Sequence, residues 1–456
     1  MGESSTTAPI HVPEPTSRKV RGRKHQLVVP IADDPRKILY FAYALSTFLL
    51  FATSYISWNY YDVQWWLIWC KIAERYGILS IYALSPKLAY FPLFPLTFIA
   101  FYKLAQLLHV ANNINLLRIV EKIPIVVATI VGGELIWRET RSLEATCLWL
   151  LGIPTLELFW GYQYDSIVGV LLLLHVKYLR DRDWTRAGIC LGLATLYKQA
   201  VVLAGAVGLK IVKDYRSMIR YLTATFLTVL AVSLPFLLYD PRAFIGKTLL
   251  FHGERLPQEV SIWNIPQLLT SHLMPNIRHL WILPTLAVLV LLVARYRICD
   301  DYLPDLAKYQ ALLLGVLILL NKIGNPPYFL WIYPSIVLWL GARRHFKKSI
   351  VLPLLALSVT GFVLHPLLVY FPRVVLDKPL LIVEDVADWN AYWLYLHSYQ
   401  GLALYFAQIV VNTFRTVPQL RSFVQFLYTN FNILDSILAL TYNISLAVLL
   451  YYMAKM

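Results

Sequence analysis

The sequence predicts an all-helical, polytopic transmembrane bundle. Two observations lead there: the composition is too apolar for a water-soluble fold, and the basic residues fall in short clusters between apolar runs. Of the 456 residues, 58% are hydrophobic and 15% charged, against about 45–50% and about 25% in soluble domains. The 14 Trp and 30 Tyr suit a chain that meets membrane interfaces, where amphipathic rings settle at headgroup level. A formal net charge of +15 does not point to nucleic acid. Once clusters such as Arg343-Arg344-His345-Phe346-Lys347-Lys348 are assigned to loops, no folded basic domain is left over.

Residues 1–37 read as a disordered, basic cytoplasmic tail. They are rich in Ser, Thr and Pro, and the run Arg18-Lys19-Val20-Arg21-Gly22-Arg23-Lys24 holds the N-terminus inside. Nothing there resembles a signal peptide. The remaining residues, 38–456, form the transmembrane domain. A span needs about 20 apolar residues, and the apolar segments from 38–57 to 431–453, several of them short, make about 11–13 spans. No internal repeat is visible. Cys70, Cys147, Cys190 and Cys299 are far apart and show no metal or redox spacing.

Orientation follows from the basic loops. Placing 177–187, 210–220, 295–308 and 343–348 in the cytoplasm puts these stretches outside: 57–90, 157–165, around 198–201, 240–277, 321–327 and 372–397. The alternation holds from 138 to 371 and fails across 90–137. One of 90–110 and 119–137 is then re-entrant or interfacial, and Glu121 and Lys122 single out the second.

Ionisable groups near a membrane segment are expensive, about 2.5–3.5 kcal/mol each at the helix centre on insertion scales, and here they gather outside. Asp62 stands alone in Trp58-Asn59-Tyr60-Tyr61-Asp62-Val63-Gln64-Trp65-Trp66. Its aromatic neighbours suit a proton acceptor, although a membrane-edge Asp bonded to loop amides is the plainer reading. Asp165-Ser166 reads equally as a helix N-cap, but capping leaves Gln163 and two tyrosines unexplained. Lys198, inside an apolar stretch, either snorkels to the outer interface or holds a lipid phosphate. His252, Glu254 and Arg255 suit a phosphate and a sugar, or an ordinary solvated loop. Asn321-Lys322-Ile323-Gly324-Asn325-Pro326-Pro327 is a polar hairpin that breaks a helix and keeps Lys322 at the outer face. Asp62 and Asp165, together with the cations Lys198, Arg255 and Lys322, form the layout an anionic, membrane-embedded substrate needs.

Two stretches carry a resemblance. Gly161-Tyr162-Gln163-Tyr164-Asp165 followed by the apolar run to Lys198 resembles the Gly-Gln-x-Asp … Lys pattern of mannosyltransferase-like members of the GT-C superfamily, the polyprenyl-phosphate-dependent glycosyltransferases. Asn321-Lys322-Ile323 … Tyr328-Phe329-Leu330-Trp331 … Pro334 resembles an Asn-Lys-Val … Gln-Tyr-Phe-Leu-Trp … Pro element of the GPI mannosyltransferase I family and its bacterial and archaeal relatives. The similarity spans roughly residues 38–345.

The resemblance implies inverting transfer from a dolichyl- or polyprenyl-phosphate sugar, mannose by preference, to a glycan, lipid or protein acceptor at the outer or lumenal face. It makes Asp62 the base and Lys198, Arg255 and Lys322 the phosphate ligands. Tyr60, Trp65, Gln163, Asp165, His252, Glu254 and Asn325 would line the sugar and acceptor pocket. Two positions depart from it: a single acid, Asp62, replaces Asp-x-Asp, and Pro327 stands where Gln precedes Tyr. The lone acid gives no support to a divalent metal, which prefers several oxygens, and no other cofactor is implied. The partners are the lipid-linked donor and membrane lipids, with room for a protein partner. The membrane would be the prokaryotic plasma membrane or the endoplasmic reticulum. A transporter or flippase of polyprenyl-linked sugars, and a non-catalytic subunit of a glycosylation complex, are the alternatives.

Overall fold

Helices account for nearly all of the regular structure in the computed structural model, which describes residues 34–56, 60–156, 163–272, 274–298, 303–376 and 402–456. Among the described residues, six stretches are long and apolar enough to cross a membrane: Pro35–Ser54, Tyr215–Tyr239, Pro275–Arg295, Leu303–Leu320, Lys348–Val375 and Phe431–Lys455. Leu93–Leu107, Leu143–Leu156 and Gln199–Ile211 are apolar but shorter. Most of the N-terminal tail, the tip of the 157–165 loop, most of the 372–397 loop and Cys299 lie outside the described residues.

Short polar residues start the helices on both sides of the bundle. The side chains of Asn113, Ser142, Asp183, Asp214 and Asp240 each accept a backbone amide of the turn that follows, satisfying donors that a helix start leaves open. Inside, the helices meet through small residues and a few polar cross-ties. Gly188 and Gly192 share one face of Trp184–Tyr197, and a Cβ at either would come within 3 Å of Tyr221, Ala224, Thr225 or Thr228 atoms of the neighbouring helix. Such small-xxx-small faces let membrane helices approach closely. Buried His175 joins three helices, its Nδ1 2.9 Å from Gln310 Oε1 and its Nε2 2.9 Å from the Tyr221 hydroxyl.

The segment 119–137 lies in one long helix, Ile114–Thr140, of 27 residues, about 40 Å, which is not among the stretches apolar enough to cross. Its Glu121 and Lys122 are both buried, and the Tyr164 hydroxyl donates to Glu121 Oε2 at 3.1 Å. Leu93–Leu107 is shorter, with 15 residues, about 22 Å. It packs against the helix Tyr60–Tyr76, with Trp66 lying 5.2 Å from Phe94 and 5.0 Å from Phe98 between ring centroids.

The sole strand pairing among the described residues has a positional role. Gln258–Glu259 (β1) pairs in parallel with Ile323–Gly324 (β2), with Gln258 opposite Ile323 and Glu259 opposite Gly324. The Ser261 hydroxyl donates to the Asn321 carbonyl, the Trp263 indole to that of Leu320, and the Asn443 amide to that of Val260. The loop after Tyr239, the hairpin at 321–327 and the last helix are thereby fastened together. At Gly324 a Cβ would sit 2.0 Å from the Ser261 nitrogen. Gly324→Ala should therefore force the two strands apart and destabilise the protein by about 1–3 kcal/mol, read as a lower melting temperature in detergent. A melting temperature equal to wild type would refute this account of the junction.

Candidate active site

The site is built around the end of a helix. Trp184–Tyr197 stops at Lys198, whose backbone is extended (φ −142°, ψ 108°), and a 3-10 segment, Gln199–Ala204, leads the chain away. With 14 residues before the break, the helix rises about 21 Å, and it ends with Lys198 buried inside the bundle rather than on a free loop. Irregular backbone at such depth is tolerated where it lines a cavity.

The Lys198 side chain is only 5% exposed, and its ammonium lies 3.4 Å from Asp165 Oδ2. Ring centroids of Tyr90, Tyr328 and Phe94 stand 4.7, 5.3 and 5.6 Å from the nitrogen. Asp165 is wholly buried at the start of its helix, and its Oδ1 accepts from the Trp331 indole at 2.5 Å. The lysine thus has one ion pair and three ring faces, yet its ammonium donates no hydrogen bond among the described residues. A buried ammonium with three N–H groups and no hydrogen-bond acceptor is poorly satisfied, and here it opens onto a cavity.

That cavity measures about 260 Å³ and is bounded by Tyr90, Lys198, Gln199, Thr248, His252, Trp281, Asn321, Lys322, Tyr328 and Trp331, among others. Its lining is rich in donors. The Lys322 ammonium donates to the Gly253 carbonyl at 2.7 Å, and the buried Trp281 indole N–H meets no acceptor among the described residues. Tyr90 is held by its own loop. The Ala89 carbonyl accepts from Gln199 at 3.0 Å and from His252 at 2.8 Å, and the Tyr90 carbonyl accepts from Tyr82 at 2.7 Å. Donating from Nε2 to a carbonyl, His252 is neutral or charged by pH alone. Burial, reinforced by the nearby Arg255, Lys198 and Lys322, drives its pKa down from 6.5 to about 4.

Asp62 lies in the first turn of Tyr60–Tyr76 and is half-buried, its Oδ2 accepting from Gln163 Nε2 at 2.6 Å. Burial pushes the Tyr90 hydroxyl above its usual pKa; the Lys198 ammonium opposes this, and Asp62 and Asp165 add to it. Both carboxylates are therefore within electrostatic reach of the cavity wall.

The structure brings together Lys198, Lys322 and His252 in that wall; Asp62 and Gln163 are bonded to each other and are not among the residues that line it. Asp165 is turned to Lys198 and Trp331, a brace with no surface toward a sugar. Trp65 is buried, with the Lys87 ammonium 5.9 Å from its ring centroid. Asn325 is half-buried, and its side-chain oxygen accepts no hydrogen bond among the described residues. Arg255 does not line the cavity: its guanidinium donates to Gln258 and lies 5.6 Å from the Phe251 ring centroid. Glu254 points to solvent, paired with Arg278 at 2.7 Å. The Tyr60 side chain lies outside the described residues. Tyr90, Thr248 and Trp281 were not anticipated; only Tyr90, beside the Pro92 and Pro95 breaks, carried any signal. Among the described residues no group of three or more His, Cys, Asp or Glu could hold a metal ion.

Fold and cavity together define an integral, multi-pass membrane enzyme. The chain belongs to glycosyltransferase family 87, whose family model matches residues 76–321, more than half of the sequence; it is a glycosyltransferase. The matched stretch contains Lys198 and His252 and stops short of Asp62 and Lys322. Among solved structures, the crystal structure of ArnT from Cupriavidus metallidurans bound to undecaprenyl phosphate is similar, with 13% identity, 90% of this chain and 76% of that chain covered, and a TM-score of 0.44. No curated protein sequence matches.

Two outcomes follow from the geometry. Lys198→Met strands the buried Asp165 carboxylate and should cost about 3–5 kcal/mol, while adding Asp165→Asn should recover much of it; equal, additive losses in detergent unfolding would show that the two groups are not coupled. The low pKa of His252 makes its contribution to stability full above pH 6.5 and progressively lost as pH falls toward about 4, because the unfolded chain takes up the proton first. His252→Gln keeps a donor for Ala89 and should flatten that part of the stability profile; an unchanged slope would count against the assignment.

Proposed function

We propose that this glycosyltransferase uses a polyprenyl-phosphate-linked sugar, mannose by the sequence resemblance, and transfers it with inversion at the outer or lumenal membrane face. The observation that carries the reading is the buried Lys198 ammonium, without a hydrogen-bond acceptor, in a donor-rich, aromatic-walled cavity. A lipid phosphate supplies the oxygens such a group lacks, and rings flanking it suit a sugar above and an isoprenoid chain beside it.

The reaction divides among the residues on hand. Asp62 takes the proton of the acceptor hydroxyl, whose oxygen attacks the anomeric carbon from the face opposite the phosphate. The anomeric C–O bond breaks with its electron pair leaving on the lipid phosphate. Lys198 and Lys322 meet the growing charge on that oxygen, the term that dominates such transfers. Gln163 fixes the Asp62 carboxylate through one oxygen, and Asp165 and Trp331 hold Lys198 in place.

Asp62→Asn should lower transfer from radiolabelled polyprenyl-phosphate mannose by about 10²–10⁴-fold, the usual contribution of a general base. Donor binding, followed by donor-dependent thermal stabilisation, should persist. Turnover at the wild-type rate would remove Asp62 from the mechanism, and loss of donor binding would recast it as a donor ligand.

A further inference from the structure

A second group of ionisable side chains lies outside this mechanism. His365 is buried, with its Nε2 2.8 Å from Glu259 Oε2 and its Nδ1 2.7 Å from Asp435 Oδ1. Both ring nitrogens face carboxylate oxygens, and the imidazolium form donates to both. The three residues come from distant parts of the chain: β1, the turn after a π-helical stretch at Thr360–Leu364, and the second turn of Phe431–Lys455. His365 and Asp435 have side chains 1% and 3% exposed, whereas that of Glu259 is 33% exposed. The triad therefore opens to the outside at one end only.

That end is held under strain. Glu259 has a left-handed backbone (φ 56°), uncommon for a residue with a long side chain and costing of order 1 kcal/mol or more. The conformation is locked by the pairing with Gly324 and by the Asn264 amide, which donates to the Glu259 carbonyl at 3.0 Å. A buried ionic triad is seldom the most stable way to fill such a space, so strain and burial together point to a function. Glu259 Oε2 is occupied by His365, while its Oε1 makes no hydrogen bond among the described residues. Its partner strand continues the hairpin of Lys322, and its charge acts on Tyr328 in the cavity wall.

We propose that Glu259, aimed by the buried His365–Asp435 pair, is an acceptor-binding residue that takes hydroxyl groups of a neutral, polyhydroxylated acceptor. The inference rests on the transferase reading above. Charge decides which substrate it serves. A fixed carboxylate repels the donor phosphate, which belongs with the two lysines, and accepts strongly from sugar hydroxyls. His365 and Asp435 are positioning residues that touch no substrate.

The test is steady-state kinetics of the purified full-length protein with polyprenyl-phosphate mannose. Acceptor is supplied as a membrane lipid extract and as a series of octyl hexosides. Glu259→Gln should raise the acceptor KM about tenfold or more and leave the donor KM at its wild-type value; Asp435→Asn should reproduce part of that rise. A role in stability alone would lower the melting temperature and shift both KM values together, and either that result or a rise confined to the donor KM would overturn the proposal. If the wild type transfers mannose from this donor to none of these acceptors, the donor and acceptor reading proposed above fails first and this inference goes with it. If the wild type is active and Glu259→Gln matches it, this inference alone is lost.

Discussion

The structure is organised around keeping one ammonium group out of water. Lys198 lies within the bundle, where an ionised side chain costs several kcal/mol unless it is compensated. Its compensation comes from three separate parts of the chain: Asp165 at the start of one helix, Tyr90 and Phe94 just before and within the first turn of Leu93–Leu107, and Tyr328 from the turn after 325. Trp331 in turn holds Asp165. None of these groups gives the lysine a hydrogen bond. They make the charge tolerable without quenching its capacity to bind an anion, a balance that a close, well-aligned carboxylate pair would not leave.

The loops around the cavity are tied down through their carbonyls. Ala89, Tyr90, Val260, Leu320 and Asn321 each give a backbone oxygen to a side chain on another element. A buried loop carbonyl must find a donor, and here four of the five donors come from residues distant in sequence, Tyr82 alone being local to Tyr90. Lys322 is therefore positioned by β1 and by the helix Phe431–Lys455 together. The C-terminal hundred residues, which looked featureless as sequence, carry Asn443 and Asp435 and so belong to the same assembly.

What was legible in the sequence was legible through expense. Asp62, Lys198 and Lys322 stood out because charge beside apolar runs needs a reason, and the two lysines line one cavity. Glu121 and Lys122 obeyed the same rule and misled: their cost was assessed as if they met lipid, whereas the helix Ile114–Thr140 turns them inward, toward Tyr164. Asp165 was ambiguous for another reason. Capping and ion pairing select the same residue at the same position, and only the fold shows that its oxygens serve Trp331 and Lys198. His365, 106 residues from Glu259 and 70 from Asp435, could not be read at all. Local spacing carries no trace of contacts made across three elements.

The separation of the two acids has a chemical logic. A carboxylate in direct contact with an ammonium is favoured in its ionised form and loses proton affinity, so an acid meant to accept a proton is better kept from the cations that bind the leaving group. Asp165 takes the lysine. Asp62 accepts from the neutral amide of Gln163, two residues before Asp165 in the chain. One short stretch, Gln163-Tyr164-Asp165, therefore touches both acids and keeps them in different company. It fixes a base through a neutral donor on one side and a phosphate-binding cation through an anion on the other, while Tyr164 between them packs against Trp66 and Phe94.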